Sequence, residues 1–455
     1  MTAFDSAQYE DVLGQLPRLK TYSHLLLAFR LPENRSPEHF IELIESATQE
    51  LTKAFPWLAC RVVHEGRGPG NSGVFRLAPC SKFTHSHSIV RTKDCTDLCP
   101  TYEEIIAARG PVAMLDGAIL APVPAFPHIY DDAEINPAPV IALQANIIRG
   151  GLLLDIAGQH NIIDGGGLMR VLVLLAKSMR GEPFSAEELE HGNRDRSKLV
   201  QLLQPDEPML DHSHLLRESL GVVQPRANRP PAQWRYVRFP ALKRTILKER
   251  AMKDIGGEDD VFVSTNDTVS AFLWQRISAV RLLRRKRPDD LSKFSRALDA
   301  RRPLGIPREY LGQMGYNATC YLSFRELKAL PLGHVALFLR GAVKEVNTTY
   351  AARSWATFIA NEPDKSRIMF GGSFDPDKDL GVSSIIHATF NDVVFGELGT
   401  PSLFRRPMFP PLESCIYLWT QTVEGDVDVL LCLIEADWDA LSADEEWSTH
   451  TELIG

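Results

Sequence analysis

Apolar residues recur along this chain with two different periods, and the change from one to the other divides it into helices and strands. In SPEHFIELIESATQELTKA, residues 36 to 54, they return every three or four positions behind a serine and acidic residues, which predicts a capped amphipathic helix. Pro56 stops it, and FPWLACRVV begins a strand whose hairpin partner, FRLAP, follows the glycine-rich turn GRGPGNSG. PVIALQANII and GLLLDIAGQH read as two strands joined by a turn at Arg149 to Gly151, and LMRVLVLLAKSM has the length and apolar content of a largely buried helix. Further on, RYVRFP is a short strand and AMKDIG closes a helix at glycine. VSTNDTVSAFLWQRISAVRLLR is a helix capped by Thr265 or Asn266, FSRALDARRPLG returns to a strand, and FRELKALPLGHVALFLRGAVKEV begins a long helical region. CIYLWTQTVEGDVDVLLCLIEADWDALSADEEW completes the series as strand, turn, strand and helix.

Between 186 and 232 this patterning gives way to charge, proline and polar residues, ending in QPRANRPPAQ. The span reads as a connector, so two α/β domains are expected, at 1–185 and 233–455. A chain of 455 residues is long enough for two cores. Apolar residues at 44% and charged residues at 24% fit a globular protein, and the net charge of -8 disfavours nonspecific nucleic-acid binding. The start, MTAFDSAQYEDVLGQLPRLK, lacks the basic flank and apolar run of a secretion signal, and the most apolar runs are too short to span a bilayer. A soluble cytoplasmic protein without membrane attachment is expected. Seven cysteines do not describe a disulfide scaffold: Cys60, Cys320 and Cys432 sit in apolar runs, and Cys95 and Cys99 have no second pair to complete a zinc site. The HSH triplets at 85–87 and 212–214 read as solvated histidines, and no metal is expected.

The candidate chemistry lies in GQHNIIDGGGLMRV, residues 158 to 171, where His160 falls at a strand end and Asp164 just ahead of a helix. The same spacing occurs at His128 with Asp132, after a proline-rich loop, and at His191 with Asp195, in a charged segment; surface polar residues explain both. A histidine serves as general base near neutral pH, and the glycines at 165 to 167 remove bulk so that a substrate can approach the main chain. The plainer alternative is a core histidine beside a helix-capping aspartate. There is no nucleophile elbow, since GVSSI at 381–385 lacks the second glycine, and neither a P-loop nor a G-x-G-x-x-G is present.

The H-x-x-x-D-G element after a strand, followed in order by VSxxDxVSAFLW, LDARRPLGIP and FGELGTPSLFRRP, resembles the BAHD-type acyl-CoA-dependent acyltransferases. LTKAFPWLACRV, ADWDALSADEEW and the terminal IG extend the resemblance over almost the whole chain, toward the fungal branch of trichothecene 3-O-acetyltransferase. The resemblance implies two similar domains of mixed sheets flanked by helices, chloramphenicol acetyltransferase-like, with a channel at their interface; about 370–400 is expected to pack with the N-terminal domain. It implies a monomeric O-acyltransferase with no tightly bound cofactor and no obligate protein partner. Acetyl-CoA or another short-chain acyl-CoA would be the co-substrate, and a hydroxyl of a hydrophobic secondary metabolite the acceptor. An amine acceptor, a condensation-type reaction and a catalytically silent binding protein are the alternatives; condensation domains usually carry a second histidine where this chain has Gln159. His160 would be the base, Asp164 an orienting carboxylate paired with Arg301, and Ser383 or Ser384 the oxyanion donor. Arg301, Arg405 and Arg406 are the candidate contacts for cofactor phosphates, although a charged pair before a proline also suits a structural turn. Two positions depart from the family: Val394 replaces the aspartate of its second signature, with Asp392 a candidate substitute, and Ile385 stands where a tryptophan is common.

Overall fold

The computed structural model describes residues 6–83, 89–126, 137–217, 230–256, 261–388 and 393–455. Fourteen strands are present among them: β1 (Tyr22–Arg30), β2 (Arg61–Glu65), β3 (Val74–Ala78), β4 (Val90–Asp94), β5 (Ile141–Ile148), β6 (Gly151–Gln159), β7 (Ala232–Phe239), β8 (Leu291–Asp299), β9 (Gly315–Ser323), β10 (Leu380–Ser384), β11 (Leu403–Arg405), β12 (Cys415–Gln421), β13 (Val427–Ile434) and β14 (Glu452–Leu453). They form a five-stranded sheet ordered β11-β1-β6-β5-β4, a seven-stranded sheet ordered β14-β7-β13-β12-β10-β8-β9, and the β2–β3 hairpin. Both larger sheets are mixed: β4 runs parallel to β5, and β10 runs parallel to β8 and β12.

Every residue of β6 and β13 is buried, because both faces of each strand are covered. Along β13, Val427, Val429, Leu431 and Leu433 join a core with the helices Ala241–Asp254, Thr265–Arg285 and Leu332–Val346. The alternate residues Leu430 and Cys432, with Trp234 and Tyr236 of β7 and Trp419 of β12, enter the core of the five-stranded sheet and its helices Pro37–Ala54 and Gly165–Met179. One face of the seven-stranded sheet therefore carries its own helices, and the other meets the N-terminal domain.

Several local expectations change. The helix expected from 168 begins at Gly165, so all three glycines lie in its first turn. The cap of the Thr265–Arg285 helix is Ser264, whose hydroxyl accepts from the Asp267 amide while the Asp267 carboxylate accepts from the Ser264 amide. Ser36 occupies the cap position of the first long helix without a side-chain capping bond. Pro331 divides the long helical region into Phe324–Ala329 and Leu332–Val346. The described part of the connector is packed rather than free: Leu203 and Leu215 are buried, and Glu207 pairs with Arg353 on the Thr349–Asn361 helix. The expected crossing at 370–400 also shifts, since β10 belongs to the seven-stranded sheet. The chain crosses at 393–405, where Val393, Phe395, Leu398 and Phe404 enter the N-terminal core and β11 pairs with β1.

A buried ion cluster fastens that crossing. Arg405 of β11 pairs with Asp428 of β13 at 2.8 Å and donates to the carbonyls of Arg109 and Gly110. Asp428 also takes two bonds from Arg238 of β7. Burial alone would raise the Asp428 carboxyl, but Arg405 and Arg238 outweigh it and hold the group below its ordinary range. Arg405→Leu is expected to cost about 3–5 kcal/mol of stability, the range for orphaning a buried ionic partner, read from urea unfolding at neutral pH. The contribution should be full above the ordinary carboxylate pKa of 3.8 and disappear as pH falls through the depressed folded value. An unfolding curve unchanged by the substitution would show that the cluster does not hold the crossing together.

Candidate active site

β6 ends at Gln159, and the next residue, His160, turns out of the sheet partly exposed. Its amide donates to the Thr21 carbonyl at 2.8 Å, which ties it to the start of β1. Behind it, Asn161 donates to the carbonyls of Gly14 and Leu16 and receives a bond from Gln159, so the turn is anchored to the N-terminal segment as well. Gln313 places Nε2 at 3.5 Å from Nδ1 of the ring, a long contact, and Nε2 of His160 has no hydrogen-bond partner among the described residues. Burial lowers the imidazole pKa from 6.5, opposed by the residue's own backbone and by the negative charge of Asp164. The ring is thus neutral at physiological pH, with one nitrogen free to accept a proton.

Asp164 does not touch the ring. It caps the Gly165–Met179 helix by accepting from the Gly167 amide at 2.7 Å, accepts from the Met314 amide at 2.7 Å, and meets Arg301 in a two-pronged pair at 2.8 and 3.0 Å. Arg301 uses all five of its donors: two on Asp164, one on Asp299, and one each on the carbonyls of Tyr310 and Gly312. It is 5% exposed, so the expectation that it also contacts a cofactor phosphate fails for want of a free donor. The glycines serve this packing more than substrate approach. A Cβ on Gly167 would lie 2.1 Å from the Leu311 carbonyl oxygen, whereas one on Gly165 would meet nothing within 4 Å.

The remaining candidates separate. In β10, Ser383 is in register with Tyr417 and shares its face toward the N-terminal domain. Ser384 is in register with Leu418 and shares the opposite, helix-covered face, and its hydroxyl accepts from the Ile386 amide; its proposed oxyanion role is corrected on that ground. Arg405 is committed to Asp428 and backbone carbonyls, so it too is corrected as a phosphate contact. Arg406 is 5% exposed, with its guanidinium among aromatic rings. Where the family signature has aspartate, the carbonyl of Val394 accepts from Arg180, whose guanidinium also pairs with Glu182; Asp392 lies outside the described residues. Of the other H-x-x-x-D copies, Asp195 closes a local turn with Ser197, and the His128 copy lies outside the described residues, as does HSH at 85–87. His212 bonds Ser354. Among the described residues no group of three His, Cys, Asp or Glu is placed to hold a metal, and no helix is long and apolar enough to cross a membrane.

Sequence reasoning missed Gln313 and a second buried pair, His24 Nδ1 with Asp155 Oδ2 at 2.7 Å. The only advance signal for the latter was an aspartate inside the apolar run GLLLDIAG.

Two family models match the chain: a trichothecene 3-O-acetyltransferase-like N-terminal domain over residues 21–179, and the Transferase family over residues 125–448. The O-acyltransferase pigD of Monascus ruber is 47% identical over 99% of this chain and 100% of its own length. The O-acetyltransferase epaC of Aspergillus niger is 45% identical over 99% and 98%. The crystal structure of Fusarium sporotrichioides TRI101 with coenzyme A and T-2 superposes with a TM-score of 0.88 at 30% identity, covering 98% of this chain and 99% of that one.

Asp164→Asn is expected to destabilise the protein by about 3–5 kcal/mol, since it leaves Arg301 buried without its carboxylate. The loss should be visible in thermal unfolding together with a fall in turnover. A variant with both full rate and full thermal stability would show that the pair does not orient the loop.

Proposed function

The chain belongs to the Transferase family, and on that premise we propose that it moves an acetyl or another short acyl group from coenzyme A to a hydroxyl of a hydrophobic secondary metabolite, with His160 as general base. The observation that carries this reading is the free Nε2 of a neutral histidine, held at the end of β6 between two domains by a turn anchored on both sides. Coenzyme A acts as co-substrate, as in the solved relatives.

The acceptor hydroxyl gives its proton to His160 Nε2 as its oxygen attacks the thioester carbonyl. A tetrahedral intermediate forms, with negative charge on the former carbonyl oxygen. Ser383, on the sheet face that meets the N-terminal domain, is the hydroxyl we assign to stabilise it. Collapse breaks the carbon–sulfur bond, and the imidazolium returns its proton to the departing thiolate. No covalent acyl-enzyme is required, because both substrates can meet at one base. Asp164 and Arg301 position that base without exchanging protons.

The acceptor class follows the relatives more loosely. T-2 and deoxynivalenol are bound in the Fusarium structures, while the relatives of higher identity bear other O-acyltransferase names. Ile385, in place of the family's common tryptophan, is partly buried against the N-terminal core, where it presents no flat aromatic ring to a substrate. We therefore assign a hydrophobic alcohol rather than a particular toxin.

His160→Ala should abolish acyl transfer, measured by mass spectrometry with acetyl-CoA against a panel of terpenoid, polyketide and alkaloid alcohols and amines, while acetyl-CoA binding persists. Unchanged turnover in that variant would refute His160 as the base, and exclusive acylation of amines would move the acceptor class. In the wild-type enzyme, the acid limb of kcat/KM should lie below pH 6.5, because burial depresses the pKa of a base that must be neutral.

A further inference from the structure

The guanidinium of Arg406, in the LFRRP stretch, is used by neither the fold nor the mechanism. The residue is 5% exposed, yet its guanidinium makes no hydrogen bond or ion pair with any described residue. What surrounds it is aromatic: the rings of Phe409, Tyr417, Trp234 and Phe126 lie 5.0, 5.1, 5.5 and 5.8 Å from its guanidinium carbon. The Asp155 carboxylate feels its charge, but Oδ2 of that group is bonded to His24, and Oδ1 forms no bond to Arg406 or to anything else. None of its side-chain nitrogens is among the fully enclosed unpaired atoms of the described residues, so the guanidinium faces open space without a protein acceptor, flanked by rings that hold it by cation–π contact.

The position of this cation relates it to the proposed base. The Ala125 carbonyl accepts from the Tyr22 amide, and the Thr21 carbonyl accepts from the His160 amide. Phe126, one wall of the Arg406 cage, and His160 therefore flank the same short stretch at the start of β1. On the other side, Tyr417 is in register with Ser383 and shares its sheet face. Although they lie well inside the molecule, His160, Ser383, Cys415 and Tyr417 all keep partial exposure, which marks open space between the domains.

We propose that Arg406 is a specificity-determining residue for the acceptor, binding an anionic oxygen (a carboxylate, enolate or phenolate) on a flat conjugated alcohol whose ring lies against Trp234 and Tyr417. The proposal rests on the acyltransferase reading of His160 and names its substrate class. The arginine fork supplies two parallel donors to such an oxygen, and the rings supply the apolar walls for a planar scaffold. A neutral alcohol of the same shape displaces water from the guanidinium without supplying a charged acceptor, so the site discriminates by charge as well as by shape.

The test compares 4-(hydroxymethyl)benzoate with its methyl ester, both as acceptors with acetyl-CoA and as ligands of the enzyme without it, the latter by calorimetry. The wild-type protein should bind and acylate the acid in preference to the ester. In Arg406→Gln the acid-to-ester ratio of kcat/KM should fall about 10- to 100-fold, the worth of a charge-assisted hydrogen bond, with the same change in the binding ratio. Arg406→Lys, which keeps the charge and loses the fork, should fall between the two and decides the matter if the glutamine variant does not fold. Equal losses on acid and ester, a change confined to the KM of acetyl-CoA, or a wild-type enzyme indifferent to the acid would overturn the proposal. Because calorimetry needs no turnover, selective acid binding without any acyl transfer would instead refute the acyltransferase reading while leaving the Arg406 contact standing.

Discussion

The pairing of Asp164 with Arg301 is the constraint on which the rest of the site depends. It joins the turn after β6, in the first half of the chain, to the loop between β8 and β9 in the second, and it does so with every donor of the guanidinium occupied. The same carboxylate caps the helix that follows, so one side chain sets the exit angle of β6, the start of a helix and the contact between domains. Gly167 is part of the arrangement, because the Leu311 carbonyl occupies the space a side chain would need. His160 lies in the same anchored turn, so contacts made by a residue that never touches the ring hold the backbone that carries it.

The two sheets meet through a layer that is apolar in most places and polar in a few. Where it is apolar, the alternation of β7, β12 and β13 sends every second side chain into the N-terminal core. Where it is polar, each group carries a specific burden: Arg405 and Asp428 secure the crossing strand, and His24 and Asp155 pair within the five-stranded sheet. The Arg406 guanidinium stands among rings, with no hydrogen-bonded acceptor among the described residues. The same burial that makes unpaired polar groups expensive lowers the pKa of the His160 imidazole.

Much of this was legible beforehand where local rules govern. The β5–β6 hairpin, the β12–β13 pair and the long helices follow from periodicity and turn residues, and the distinction of His160 from the other two histidines followed from its strand end and glycines. Boundaries were less legible. Thr265 and Asn266 looked like caps, but the capping box chose Ser264, whose hydroxyl reaches the amide three residues on. The segment that packs on the N-terminal domain begins within the expected 370–400 but extends past it to β11, because strand partnership is a long-range choice and nothing in SLFR announces that it pairs with β1.

The sequence by itself determined the elements, their two-domain order and the placing of His160 at a strand end with Asp164 at a helix start, since periodicity, turn chemistry and ordered motifs are written in neighbouring residues. Only the tertiary structure decided which arginine does what. Arg301, Arg405 and Arg406 are equivalent as letters, yet one saturates a carboxylate loop, one clips two sheets together and one stands among aromatic rings without an acceptor. The physical reason is that a charge takes its role from the acceptors and the dielectric around it, and here those are assembled by strands far apart in the chain.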